Sequence, residues 1–445
     1  MMRNVIKAAT AVILTIILVT TCAYVFHSKS WYPKMNEFYE SPGEYDVWFL
    51  GSSHAIMSTL PEELYSEYGI RSYNLACYGQ TMAIDYWMTR NLFRISKPDL
   101  VVMDVGGIAS EEKYSEDNLS SVRKMITSLP LSVTKYEAIN DLFEGDLREE
   151  MIFPFSSDHY NWEYLNRNYF RLERSYDLGA DQNVFGGRGK EDYILVTPAT
   201  IPDSISELDT DKQESLNCGY LRKLIELCRE NNVEVLLVKS PLSASDANLK
   251  NYNKAFSIGD EYGIPHLNGF EAEGIFDGDT DLWDERHLNS LGARKFTHLL
   301  GDYITENYPE LAAGSETDDK IKAKWDNRYT EYLKWLDTEL PLQSDLYSYL
   351  MLCTHPQYSV SIEMSESSSL TGDDVFRKLV NELNIQTGDS ASDEMLDVGD
   401  KKVHVLDKDM NCDIRITVFD ADGSEADTAE FVVHIDSDSR SERLR

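Results

Sequence analysis

Between residues 46 and 104, short apolar runs alternate with segments whose apolar residues have helical spacing. The runs predict strands, and the segments between them predict helices. Strands that alternate with helices are typical of βαβ units and a mainly parallel sheet. The predicted strands are 47–50, 72–76 and 100–104, and the predicted helices are 60–68 and 82–95.

The alternation stops after the third strand and resumes after residue 211. Residues from about 108 to 210 are acidic and rich in aromatic side chains, which predicts a large insertion. Beyond it, a helix at 216–228 leads to the near-continuous apolar run 233–241, which is typical of a fully buried strand. A helix at 252–262, a short strand within 264–270 and a helix at 289–303, with Asn289 as its N-cap, complete an α/β domain over residues 45–308.

The pattern changes again near the C-terminus. Residues 309–340 predict a helical linker. Residues 341–436 contain short strand-like runs and one helix at 375–383, which predicts a small β-rich module, either α+β or a β-sandwich. The turn at residues 421–423 fits a hairpin between the last two predicted strands. The polar residues 437–445 predict a disordered tail.

The N-terminal segment predicts a membrane anchor. Residues 8–26 form a run of 19 residues without a charge, long enough for one helical crossing of a bilayer. Arg3 and Lys7 precede the run, which predicts a cytoplasmic N-terminus. Residues 1–27 are therefore expected to be a single-pass signal anchor in the cell membrane, with the remaining chain extracellular. A cleaved signal peptide is the alternative.

Composition narrows the function. The 42 basic and 77 acidic side chains give a net charge of −35, which argues against nucleic acid as a partner. The six cysteines show no CxxC pair and no metal-ligand spacing. Neither a metal site nor a cofactor is predicted.

Two motifs whose residue types suit catalysis lie at opposite ends of the α/β region. Gly51 and two serines follow the first strand, and Asp284-x-x-His287 precedes the last helix. A histidine beside a carboxylate can take a proton from a serine, as serine acyl transfer requires. His54 directly follows the second serine, but neighbouring helical residues point in different directions, so it is not predicted to be the base.

Together these motifs resemble the SGNH (GDSL-like) hydrolase and acyltransferase superfamily over about residues 45–308. The resemblance implies a flavodoxin-like, three-layer α/β/α fold of the SGNH hydrolase type. It assigns Ser53 as nucleophile, His287 as general base and Asp284 as the carboxylate that orients it. It also implies an oxyanion hole made by the N–H groups of Ser53 and Gly79.

Two departures from the family pattern bear on the site. The family's third block supplies an asparagine, but residues 103–110 contain none, so Gln80 is the expected substitute donor to the oxyanion. Asn74 is predicted either to contact substrate or to stabilise its own turn. Ser52 stands where the family usually has aspartate. This resembles the extracytoplasmic branch, which includes the teichoic-acid D-alanine transfer protein and the alginate O-acetylation proteins.

The resemblance implies an anchored extracellular enzyme that transfers an acyl group, expected to be acetyl, to an envelope or secreted polysaccharide. Its expected partners are an acyl donor, the polysaccharide acceptor, a membrane-bound O-acyltransferase and the lipid bilayer. Within the insertion, His159, Trp162 and Arg188 are expected to bind substrate. Two alternatives remain: an esterase with the same three residues, in which water replaces the sugar, and a non-catalytic scaffold or binding protein.

Overall fold

A parallel sheet of five strands forms the centre of the first two thirds of the chain, in the order β2-β1-β3-β4-β5. The computed structural model describes residues 2–26, 32–152, 193–210, 213–312, 318–386, 395–406, 410–433 and 441–444. In the sheet, Val47 lies opposite both Ser72 and Leu100, and Leu100 lies opposite Glu234. The strands are β1 (Val47–Leu50), β2 (Ser72–Asn74), β3 (Leu100–Asp104), β4 (Glu234–Lys239) and β5 (His266–Asn268).

Helices cover both faces of this sheet, which explains why its strands are apolar at nearly every position. Trp48 and Val101 pack into one hydrophobic core with the helices Met82–Leu92, Leu216–Glu230 and Asp246–Tyr262, whereas Phe49 and Val102 pack into another with the helices Pro61–Tyr68 and Ser290–Asn307. The helices are α1 (Met2–Phe26), α2 (Tyr32–Glu40), α3 (Ser53–Ser58), α4 (Pro61–Tyr68), α5 (Met82–Leu92), α6 (Leu119–Ser128), α7 (Val133–Leu142), α8 (Gly145–Ile152), α9 (Leu216–Glu230), α10 (Asp246–Tyr262), α11 (Ser290–Asn307) and α12 (Pro309–Ala312), with 3-10 turns at Val105–Ala109 and Gly269–Glu271.

The segment between β3 and β4 adds helices to the first core. Between the 3-10 turn after β3 and the start of α9, its described residues contain α6, α7 and α8 and no strand, and β3 pairs directly with β4. Val122 and Ile139 from these helices are buried in the same core as α5.

The C-terminal module is built on one mixed sheet in the order β13-β12-β11-β8-β10-β9, so its class is α+β rather than β-sandwich. Helix α13 belongs to both halves of the molecule, because Trp325 packs into the first core and Tyr332 and Leu336 into the module's own core. The elements are α13 (Asp319–Glu339), α14 (Leu346–Cys353), β8 (Ser359–Met364), α15 (Asp374–Glu382), β9 (Met395–Val398), β10 (Lys401–Val405), β11 (Ile414–Phe419), β12 (Glu425–Val433) and β13 (Ser441–Leu444), with 3-10 turns at Leu340–Leu342 and Ser369–Gly372.

The prediction of a disordered tail at 437–445 is wrong for its last described residues. Strand β13 pairs with β12 in antiparallel register, with Leu444 opposite Glu430. The guanidinium of Arg443 lies 2.6 Å from the Asp427 carboxylate and also donates to the carbonyl of Pro341 at 2.8 Å. These polar contacts hold a segment whose composition alone predicts no structure.

The N-terminal helix α1 fits the length and composition of a membrane span. Its segment Met2–Cys22 has a mean hydropathy of 2.2 and is not buried against the rest of the protein. A signal sequence would have the same character.

Candidate active site

The serine turn lies where β1 ends at the carboxyl edge of the sheet. Gly51 has φ of +131°, and a Cβ there would come within 2.9 Å of the Asp104 Cβ, so the turn requires glycine. Ser52 is the extended N-cap residue and Ser53 begins α3. The first amides of a helix have no acceptor within it, so the Ser53 N–H is available to a ligand.

The Asp-His motif lies on a small hairpin that precedes α11. Strands β6 (Leu282–Asp284) and β7 (His287–Leu288) pair in antiparallel register. Asn289 is the N-cap of α11, as predicted: its Oδ1 accepts the N–H groups of Leu291 and Gly292, each at 3.0 Å. Its amide also donates to the carbonyl of Thr280 at 2.7 Å, which ties the hairpin to the helix start.

A continuous hydrogen-bonded chain joins the two motifs. The Oγ of Ser53 lies 2.9 Å from His287 Nε2, and His287 Nδ1 lies 2.8 Å from Asp284 Oδ1. Because a carboxylate only accepts, it holds the proton on Nδ1 and leaves Nε2 to accept from the serine. The His287 side chain is 16% exposed and that of Asp284 is 42% exposed, so a ligand can reach these hydrogen-bonded side chains. This arrangement can activate a serine oxygen for attack on a carbonyl carbon.

A buried ion pair fixes the segment that carries this hairpin. Lys295 Nζ on α11 lies 3.1 Å from both carboxylate oxygens of Asp281. Lys295 also pairs with Glu382 at 2.9 Å, which links the hairpin to α15 of the C-terminal module. Gly292 passes so close to the backbone that a Cβ would lie 2.3 Å from the carbonyl oxygen of Asp281.

The structure gives the Gln80 side chain a partner other than an oxyanion. Its Nε2 donates at 2.5 Å to Asp85 Oδ1, which also accepts the Gly51 N–H at 3.1 Å. Gln80 is 2% exposed. The predicted role of Gln80 as an oxyanion donor is therefore corrected. Its amide stabilises the serine turn through Asp85, which binds both Gln80 and the Gly51 N–H. Burial raises the pKa of Asp85 to about 7, against the hydrogen bonds from Gln80 and Gly51.

Asn74 also has a structural role. It is fully buried, and its amide donates to the Ala55 carbonyl at 3.0 Å and to Thr59 Oγ1 at 2.9 Å. Its Oδ1 accepts the N–H of Ala76. All of its groups thus hold the loop after β2 against α3, so the prediction that Asn74 binds substrate is wrong and the alternative, a turn stabiliser, holds.

Gly79 lies beside an asparagine that sequence reasoning missed. It has φ of +64°, and a Cβ there would fall 2.0 Å from Asn118 Cγ, so the Asn118 side chain lies directly against it. Asn118 follows β3 by 14 residues, beyond the segment 103–110, and its amide donates to Ser115 Oγ at 2.8 Å rather than capping α6. The predicted substrate-binding residues His159, Trp162 and Arg188 lie outside the described residues.

A second polar cluster, Asp104-Lys239-His54, lies beside the serine. Lys239 Nζ is fully buried, 3.1 Å from Asp104 Oδ2 and 2.9 Å from His54 Nδ1. Burial would raise the pKa of Asp104, but the Lys239 ammonium, His54 and the Gly106 N–H together outweigh it and hold that pKa below its ordinary value. Burial and the Lys239 charge lower the pKa of His54 to about 4. The readable signal was a charged residue ending each of two apolar strands, β3 and β4, that are neighbours in the sheet.

No protein-family model matches this chain, and a search of curated proteins gave no match.

Proposed function

We propose that this chain is a serine acyl-transfer enzyme of the SGNH type, anchored by α1 and acting outside the cell on an envelope or secreted polysaccharide. The observation that carries the proposal is the chain of hydrogen bonds from Ser53 through His287 to Asp284. It joins residues that two separate motifs supply, one after the first strand of the sheet and one before α11.

The reaction would proceed through an acyl-serine. Ser53 Oγ attacks the carbonyl carbon of the acyl donor while its proton passes to His287 Nε2, and the carbonyl π electrons move to the oxygen. Collapse of this adduct breaks the bond to the leaving group, which takes the proton from His287. A sugar hydroxyl then attacks the acyl-Ser53 ester, again through His287, and releases acylated sugar and free Ser53.

Several features of the fold support the proposal. The strand order 2-1-3-4-5 is that of flavodoxin-like sheets, in which ligands bind outside the carboxyl ends of the strands. Ser53 lies at that edge, after the strand β1. The N–H groups of Ser53 and Gly79 are the proposed oxyanion donors. The Ser53–His287 distance of 2.9 Å speaks against the non-catalytic scaffold, which would not need these side chains in contact.

Intact-protein mass spectrometry tests the proposal directly. Full-length protein in detergent micelles is incubated with p-nitrophenyl acetate, with and without oligosaccharides of envelope polysaccharides. We expect a 1:1 acetyl adduct on Ser53 that is absent in Ser53→Ala, and faster adduct loss with a sugar than with water alone. Adduct loss that no sugar accelerates would favour the esterase. An adduct equal in Ser53→Ala, or none in the wild type, would refute the nucleophile.

A further inference from the structure

The Asp104-Lys239-His54 cluster fixes one protonation state of a histidine next to the proposed nucleophile. An ammonium group can only donate hydrogen bonds, so the Nδ1 of His54, 2.9 Å from Lys239 Nζ, must accept. Asp104 Oδ1 lies 3.7 Å from the same nitrogen, too far to take a hydrogen bond from it. A neutral imidazole whose Nδ1 accepts carries its proton on Nε2.

Burial and a neighbouring charge keep His54 in this neutral form. The burial of the ring and the Lys239 cation both oppose protonation, which lowers the pKa of His54 to about 4. The Asp104 carboxylate, which pairs with the ammonium at 3.1 Å and accepts the N–H of Gly106 at 2.8 Å, favours the protonated ring but does not outweigh burial and Lys239. The ring of His287 also faces His54, and its positive charge, when it is protonated, lowers the pKa of His54 further.

The ring of His54 lies within the catalytic group. It meets the ring of His287 edge-on, with 5.4 Å between centroids, and its side chain is 16% exposed. Among the described residues, Nε2 has no hydrogen-bond partner. Gly106 makes room for the ring, because a Cβ at that position would fall 2.5 Å from His54 Nδ1. Gly106, which follows β3, has no side chain, and the His54 ring occupies the space that one would fill.

On the basis of the proposed function, we propose that His54 is a catalytic residue whose Nε2–H donates a hydrogen bond to the oxyanion of the tetrahedral adduct on Ser53. No proton is transferred in this step: the N–H binds the oxygen that receives the carbonyl electrons, together with the N–H groups of Ser53 and Gly79. Lys239 is a positioning residue, because it acts through the tautomer of His54. Burial lowers the pKa of Lys239, and Asp104 opposes that effect by favouring the charged ammonium.

This role differs from that of the base. His287 must accept a proton at Nε2, whereas His54 must keep one there, and the two opposite partners at Nδ1 enforce the difference: a carboxylate for His287 and an ammonium for His54. Preorganised donors of this kind act only on the charge that develops in the transition state.

Kinetics of full-length protein in detergent micelles, with p-nitrophenyl acetate as the probe, test the proposal. His54→Phe keeps a planar ring without an N–H, and we expect the acylation rate to fall by about 10²–10³-fold with KM nearly unchanged, the effect of losing one oxyanion donor. His54→Asn keeps an N–H donor and should recover part of the rate. His404→Gln, on β10 of the C-terminal module, should retain the wild-type rate.

The results for the different variants distinguish a failure of this inference from a failure of the proposed function. If acylation of wild type does not depend on Ser53, the proposed function itself fails. If acylation depends on Ser53 but His54→Phe keeps the wild-type rate, or if only transfer to sugar slows, the oxyanion role of His54 is refuted. That role is also refuted if Asn118→Ala causes the loss that His54→Phe does not.

A spectroscopic measurement on the wild-type protein tests the proposal independently of how well the kinetic variants fold. In ¹⁵N-histidine-labelled protein, the signals lost in His54→Gln identify His54. We expect the Nε2-protonated neutral tautomer throughout pH 5.5–8. An Nδ1-protonated tautomer, or an imidazolium at pH 7, would overturn the proposal whatever the kinetics show.

Discussion

The Oγ of Ser53 and the Nε2 of His287 lie 2.9 Å apart although 234 residues separate them in the chain. The parallel sheet accounts for this contact. It places the end of β1 and the hairpin before α11 at one edge, where the side chains that follow different strands converge. Asp284 completes the group from the opposite side of the imidazole.

Replacing Asp284 with asparagine tests the orientation of that imidazole. In Asp284→Asn the amide can donate to Nδ1, which favours the tautomer with the proton on Nε2, and this tautomer cannot accept from Ser53. We expect the rate of Ser53 acylation by p-nitrophenyl acetate to fall by about 10²–10⁴-fold, with little change in stability.

The control for Asp284→Asn lies in the same segment. Asp279 pairs with Lys378 of the C-terminal module at 2.7 Å and has no contact with His287, so Asp279→Asn should keep the acylation rate. Equal rates in Asp284→Asn and wild type would show that the half-exposed Asp284 does not orient the base.

Hydrophobic patterning predicted the main strands closely. The bounds of β1 and β3 agree with the predicted 47–50 and 100–104, since short buried strands are nearly uniform apolar runs. Helix α10 begins at Asp246, six residues before the prediction, because its first three residues are exposed and contribute nothing to the buried face that starts at Leu249. Strand β13, in the segment predicted to be a disordered tail, was missed because it is held by its pairing to β12, which sequence periodicity does not describe.

The candidate site was predictable only in part, and the reason is physical. Ser53, Asp284 and His287 belong to local motifs, so their residue types and spacing can be read directly. The predictions for Gln80 and Asn74 were wrong because the sequence does not distinguish a polar loop residue that binds a ligand from one that binds a neighbouring residue. Only the fold shows that Gln80 meets Asp85 and that Asn74 meets Ala55.

The buried Asp85 should make stability depend on pH. Its pKa is raised to about 7 in the folded protein, so between about pH 4 and pH 7 the unfolded chain loses this proton while the folded protein keeps it. Wild type should therefore lose stability relative to Asp85→Asn as pH rises through this range, by up to about 1.4 kcal/mol per pH unit. Urea unfolding of both proteins at several pH values measures the difference.

Comparison of the two proteins cancels the opposite effect of His54, whose lowered pKa makes both of them lose stability as pH falls from about 6.5 towards 4. Asp146→Asn, at an exposed carboxyl, is the matched control for the change from a carboxyl to an amide. A pH-independent difference between Asp85→Asn and wild type would mean that the Asp85 carboxyl is ionised in the folded protein throughout.

The close approach of Gly292 to Asp281 predicts a second sensitive position. Gly292→Ala would place a methyl group 2.3 Å from a backbone carbonyl oxygen, so the hairpin with Asp284 and His287 must move. We expect a loss of about 1–3 kcal/mol in the free energy of unfolding and a lower acylation rate. Gly219, in α9, is the matched control: a methyl group there meets nothing within 4 Å, and Gly219→Ala should stabilise the protein by about 0.5–1 kcal/mol.

The ion pair between Lys295 and Asp281 should be needed to hold the hairpin in place. Lys295→Met leaves the fully buried Asp281 carboxylate without its cation, which typically costs about 3–5 kcal/mol of unfolding free energy. We expect kcat for p-nitrophenyl acetate to fall as well, because Asp281 lies three residues before Asp284. Lys334→Met, whose side chain is 64% exposed, should change stability by no more than about 0.5 kcal/mol.

A double variant separates the charge from the packing in this pair. In Lys295→Met with Asp281→Leu, no buried charge remains unpaired, so most of the lost stability should return. If the hairpin needs only apolar packing, activity returns with it. If activity stays low while stability recovers, the hydrogen bonds that Asp281 accepts from Thr280 and from the Asp277 N–H are what hold the hairpin in register with Ser53.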